Sequence, residues 1–211
     1  MAVALLLPYL LLVLAVAVES VFNGASVPWT LIGASREFPQ FSVLGFLAYN
    51  IVSFGVGEEV GWRGFALPRL QARRTALVAT LLLSVGWALW HVPLFFYRPG
   101  YAGMGAAGLA GWFFSLLTGA VLLTWLYNTS QGSILAVALF HATVDVAFTS
   151  SASSPFVTNA IGALISFWGI AVIVVAGPRY LSRSGKVVRL SHRGAVSRFV
   201  GRHAPAAPPA A

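Results

Sequence analysis

Apolar residues fall in six runs, about 1–22, 41–66, 76–97, 106–127, 132–149 and 158–177, and each is close to the roughly 20 residues a helix needs to cross a bilayer. Stretches such as Ala76–Leu83 and Ile161–Ala176 are apolar on every side. A membrane β-barrel needs apolar and polar residues to alternate, so these runs predict helices. Only 9% of the 211 residues are charged. A soluble domain carries roughly a quarter, so this chain has too little charge to solvate a globular surface. The expected fold class is therefore all-α, a polytopic transmembrane helix bundle of about six spans with a disordered basic C-terminal tail. No cysteine is present, which excludes a disulfide framework, a thiolate zinc site and a cysteine nucleophile. No positive region follows Met1, and the first run is long for a signal sequence, so residues 1–22 read as a retained helix.

The net charge of +8 is distributed by topology. With six spans, one side carries Arg69, Arg73 and Arg74 together with Arg179, Arg183, Lys186, Arg189, Arg193, Arg198 and Arg202, and the other carries Arg36 and Arg98. Lys and Arg concentrate on the cytoplasmic side. The expectation is a multi-pass cell membrane protein with both termini cytoplasmic, set against anionic lipid and without a nucleic-acid partner. Three regions follow: a helix and loop over 1–40, a membrane core over 41–177, and a Pro/Ala-rich tail over 178–211. The tail reads as disordered, with Lys186–Arg202 as an alternative basic segment on the inner leaflet.

Five acidic residues occur, and three of them, Glu58, Glu59 and Asp145, fall in the midst of apolar spans. His91 and His141 do so too. A carboxylate at the bilayer centre costs about 2.5–3.5 kcal/mol on insertion scales, so such residues face a bundle interior or a wet cavity. Glu59 and Arg63 are four apart with Glu first, the favourable order for a helical ion pair. Glu58 points about 100° away and has no partner nearby in sequence. Glu59 is thus expected to be structural and Glu58 reactive, and coupled carboxylates suit general acid–base work near neutral pH. His141 and Asp145 share one face of the fifth span. Three helices each bring polar groups inward, the usual way to build a site in a bundle.

At these residues the chain resembles the CPBP (CAAX protease and bacteriocin-processing, also Abi) family of intramembrane proteases. It is similar at motif level to the type II CAAX prenyl endopeptidases. The matching motifs are Glu58-Glu59-x-x-x-Arg63, continuing to Gln71; Trp87-x-x-x-His91, with Pro93 following; and His141-x-x-x-Asp145. Their order and separation agree with the family over about 45–150.

The resemblance implies an intramembrane endopeptidase acting on a membrane-associated peptide or protein. Glu58 would activate water with help from His91, Glu59 and Arg63 would position Glu58 and substrate, and His141 and Asp145 would stand near the oxyanion. No cofactor is expected. Glu58, His91 and His141 are a possible zinc set, but no His-Glu-x-x-His pair is present and a glutamate mechanism is favoured. A non-catalytic immunity or scaffold protein and a proton-coupled transporter are the competing readings, and the oligomeric state is open. Depth raises a difficulty. By helical rise from the basic loop, Glu58 lies roughly 16 Å deep and His91 roughly 25 Å. A break of the second helix at Gly61, Gly64 or Pro68, or a dip of residues 64–75 into the membrane, is the expected remedy.

Overall fold

The computed structural model describes residues 2–35, 37–189 and 197–201. Six apolar helices make the bundle: α1 (Ala2–Phe22), α2 (Val43–Arg73), α3 (Ala76–His91), α6 (Ala106–Thr129), α7 (Ile134–Thr149) and α8 (Pro155–Ala176). Two one-turn helices, α4 (Leu94–Tyr97) and α5 (Pro99–Ala102), lie between α3 and α6. Among the described residues, four helical stretches are long and apolar enough to cross a membrane: Val43–Arg73, Ala76–Tyr97, Ala106–Thr129 and Pro155–Ala176. Two shorter apolar helical stretches, Leu6–Phe22 and Ile134–Thr149, accompany them. The outer surface is apolar: Phe167 is 73% exposed and Val174 77%. A surface of this kind suits lipid rather than water.

Starts and stops follow local chemistry. The side-chain oxygens of Ser42, Thr75, Ser133 and Ser154 accept from backbone N–H groups in the first turns of α2, α3, α7 and α8. Each satisfies a donor that the helix itself leaves free. Ser154 also donates to Glu19 Oε1 at 2.6 Å, tying α1 to the start of α8. Gly177 ends α8 at φ +79°, a conformation that a side chain would strain.

Helix α7 is the central element. It packs against α1, α2 and α6, and most of its residues are buried. At 16 residues it is about 24 Å long, shorter than the hydrocarbon core, but protein rather than lipid surrounds it. Its approach to α2 is set by Gly55, where a Cβ would lie 2.5 Å from the Ala138 carbonyl oxygen. Close to this contact the side chains of Glu59 and His141 meet between the two helices.

No break occurs in α2. The helix runs unbroken from Val43 to Arg73 and instead changes its winding, with π-helical stretches over Ile51–Val56 and Val60–Ala66. The second stretch leads directly into the turn that holds Pro68, which cannot donate to a preceding carbonyl. Such wide turns commonly occur at functional sites, and here they flank Glu58 and Glu59.

The composition of the tail predicts disorder from Pro178. Residues 178–189 and 197–201 instead form a docked structure. Strands β1 (Gly185–Arg189) and β2 (Ser197–Gly201) pair antiparallel, with Gly185 opposite Gly201 and Arg189 opposite Ser197. The cause is a handful of apolar and amide groups among the charges. Leu181, Val187 and Val188 are buried. Gln71 Nε2 donates to the Val187 carbonyl at 2.8 Å and to Asn128 Oδ1 at 3.1 Å. Asn128 Nδ2 donates to Gln71 Oε1 at 2.8 Å and to the Tyr180 carbonyl at 2.9 Å. Lys186 Nζ donates to the carbonyls of Gln71 and Arg74. The rest of the tail, residues 190–196 and 202–211, lies outside the described residues, as does Arg36.

Candidate functional site

Glu59 and Arg63 are four apart on α2, and their side chains meet as that spacing predicts. Arg63 Nη1 donates to Glu59 Oε1 at 2.8 Å, and both side chains are fully buried. Removing one member of such a pair costs about 3–5 kcal/mol, because it leaves a bare buried charge. The same Glu59 oxygen accepts from His141 Nδ1 at 2.8 Å, so α2 and α7 are joined at this point. His141 Nε2 stands 3.5 Å from Asp145 Oδ2, one turn along α7. The His141 ring is thus held between two carboxylates.

Glu58 points to a different neighbour. Its Oε2 accepts from the indole Nε1 of Trp87 on α3 at 2.8 Å. The sequence places Glu58 without a local partner, and the family resemblance pairs it in role with His91. The structure gives it Trp87, one turn before His91. That turn is about 6 Å of helical rise, which answers much of the depth difficulty without a break in α2.

Trp87 is the hub that motif reading underrated. Arg63 Cζ lies 4.8 Å from its ring centroid. Its ring meets His91 edge-on at 5.6 Å and His141 at 5.4 Å. A tryptophan four residues before the histidine was the available signal, since an indole offers both a donor and a cation-binding face.

His91 Nδ1 lies 2.7 Å from the Trp87 carbonyl oxygen. A carbonyl only accepts, so Nδ1 carries the hydrogen, and in the neutral ring Nε2 keeps its lone pair. Of the six residues singled out from sequence, Glu58, Arg63, His91 and His141 meet Trp87, and Glu59 and Asp145 join them through His141.

Among the described residues no group of three His, Asp or Glu side chains is placed to hold a metal ion. Both ring nitrogens of His141 face carboxylates, and Glu58 Oε2 accepts from an indole. Arg63 Nε, Arg63 Nη2 and Glu59 Oε2 are buried and have no hydrogen-bond partner among the described residues. The site thus holds polar capacity beyond its internal bonds.

A bundle of apolar helices with carboxylates, histidines and an arginine gathered between them defines an integral membrane protein with a buried polar site. Residues 40–147 match the family Type II CAAX prenyl endopeptidase Rce1-like, and the chain belongs to that family. All six site residues fall inside the matched region. The chain is also similar to CAAX prenyl protease 2 of Methanococcus maripaludis, with 28% identity over 148 residues, 68% of this chain and 53% of the relative. It therefore spans about half the length of the curated relative it matches.

Proposed function

We propose that this protein is an intramembrane endopeptidase that hydrolyses a peptide bond of a membrane-associated protein or peptide, with Glu58 activating the attacking water. The observation that carries the reading is the contrast between the two adjacent carboxylates. Glu59 is fully buried with Arg63 and His141 both on its Oε1, whereas Glu58 accepts from Trp87 alone among the described residues and is only half-buried. Peptide hydrolysis needs a base for water, an acid for the amine and donors for the oxyanion. Glu58 takes a proton as water oxygen bonds to the carbonyl carbon. His141, held between Glu59 and Asp145, donates to the tetrahedral oxyanion. The C–N bond then breaks as a proton passes to the leaving nitrogen. His91, with its Nε2 lone pair free, assists the proton transfers. The family membership and the relative's name favour a CAAX-type prenylated tail as substrate.

The topology proposal is that both termini lie on the cytoplasmic side. In support, Ala76 N–H donates to the Arg179 carbonyl and Lys186 reaches the Arg74 carbonyl, so the two basic clusters share one end of the bundle.

The test is cleavage of a fluorogenic peptide ending in a prenylated Cys-aliphatic-aliphatic-X sequence, by protein in lipid vesicles, with and without chelator. Glu58→Gln is expected to lower the rate by about 10²–10⁴-fold, the usual range for a general base, without loss of folding or insertion. Full activity in that variant would refute the role of Glu58. Loss of wild-type cleavage with chelator would refute the metal-free step. No cleavage by wild type across a broad peptide set would favour a non-catalytic role.

A further inference from the structure

The segment that joins α3 to α6 carries a ring that the catalytic motifs do not include. Tyr101, on α5, lies against His91 with ring centroids 6.2 Å apart and planes 27° from parallel. Trp112 of α6 meets the same imidazole at 5.7 Å and 64°, and Trp87 meets it at 5.6 Å and 70°. His91 thus stands in a box of three aromatic rings, of which Tyr101 alone presents a near-parallel face. Phe95 backs this box, 5.1 Å from both Tyr101 and Trp112. Face and edge contacts of this kind fix a ring's orientation.

What holds Tyr101 there is equally specific. Arg98, just before α5, forms an ion pair with Glu37, a residue of the distant loop between α1 and α2. Its Nη2 lies 2.7 Å and its Nε 2.9 Å from Glu37 Oε2. The Arg98 carbonyl accepts from the backbone N–H groups of Tyr101 and Ala102 at 2.9 and 3.0 Å. The Arg98 N–H in turn donates to the Leu94 carbonyl at 2.8 Å, and its guanidinium lies 5.7 Å from the Tyr101 ring centroid. A shift of Arg98 therefore moves Tyr101. Among the described residues, Glu37 and Arg98 are also the charged pair on the side of the bundle opposite the docked tail.

We propose that Tyr101 is a positioning residue whose ring face clamps the His91 imidazole, and that the Glu37–Arg98 ion pair holds the strap carrying it. The benefit is defined geometry at Nε2. The Trp87 carbonyl fixes which nitrogen of His91 is protonated, but a single hydrogen bond leaves the ring free to swing about it. The aromatic faces remove that freedom, which matters because acid–base steps depend steeply on placement. The proposal rests on the reading that His91 takes part in the reaction, but its geometric part does not.

The experiment uses the full chain in nanodiscs with nitrogen-labelled histidine, and follows the His91 ring by nuclear magnetic resonance, assigned through His91→Gln. Wild type is expected to show one sharp Nδ1–H tautomer. Tyr101→Phe keeps the face and should preserve that signature, whereas Tyr101→Leu should broaden it or show both tautomers. Arg98→Glu should act like Tyr101→Leu, and the exchange Glu37→Arg with Arg98→Glu should restore the signal. In the cleavage assay, Tyr101→Leu is expected to lower kcat about tenfold with KM little changed. An unaltered His91 signature in Tyr101→Leu would overturn the clamp. Equal damage in Tyr101→Phe would overturn it too, because the hydroxyl rather than the ring would then be the holding group. Failure of the exchange to restore the signal would overturn the role of the ion pair. If wild type cleaves nothing while the resonance results hold, the protease reading fails and the clamp stands.

Discussion

Substituting Gly55 by Ala is the sharpest test of how the site is assembled. The added Cβ would lie 2.5 Å from the Ala138 carbonyl oxygen, 3.1 Å from its carbonyl carbon and 3.4 Å from its Cα. All three atoms are backbone, so no side chain can turn aside. To reach ordinary contact, α2 and α7 must part by roughly 1 Å. Close by, the 2.8 Å bond from His141 to Glu59 would stretch by a similar amount and cease to be a hydrogen bond. Overpacking costs about 1–3 kcal/mol and loss of a bond to a charged group about 1.5–3, so the expected destabilisation is about 2.5–6 kcal/mol. If the proposed chemistry holds, a misplacement of this size should also lower cleavage about 10²-fold. The assays are thermal loss of helical ellipticity in detergent and peptide cleavage in vesicles. Gly61→Ala is the control, because no atom lies within 4 Å of its Cβ position, and both measurements should stay at wild type. A Gly55→Ala protein with wild-type melting and rate would refute the claim that helix approach sets the site.

Two further substitutions test other parts of the argument. Asp145→Asn should retain or raise cleavage, since an amide can donate to an oxyanion and a carboxylate cannot; complete loss would show that the charge itself is required. Asn128→Leu removes the donor to Tyr180 and the acceptor for Gln71 and Val187, so limited proteolysis near residues 178–189 should speed up markedly, with stability lowered by about 2–4 kcal/mol. An unchanged digestion pattern would mean that the tail is held by its apolar contacts alone.

The bundle and the membership of its polar site were legible because both rest on the cost of charge in an apolar chain. Glu58, Glu59, Arg63, His91, His141 and Asp145 stand out where the surrounding residues are nearly all apolar. The Glu59–Arg63 pair was legible too, because helical spacing is a local property. What escaped depends on contacts between distant segments. The π-helical winding of α2 is a matter of backbone register, and Gly61, Gly64 and Pro68 suggest a break equally well. That Glu58 would meet Trp87 rather than His91 depends on the relative height of two helices. Composition also misjudged residues 178–189 and 197–201 of the tail, since its basic residues mask the few buried groups that dock them. Gln71 and Asn128 are 57 positions apart, and neither gives sign of the other in the sequence.

The docked tail bears on how the molecule is made. Gln71 and Asn128 lie at the ends of α2 and α6, yet several of their hydrogen bonds go to residues 180 and 187. Those residues are synthesised after all six helices. Until they emerge from the ribosome, two amides in the earlier helices await partners, and the end of the bundle stays loose. Maturation of the fold is therefore completed only by a late segment of the chain, and a protein interrupted during synthesis near Gly177 would hold its helices but leave that face open to quality-control proteases.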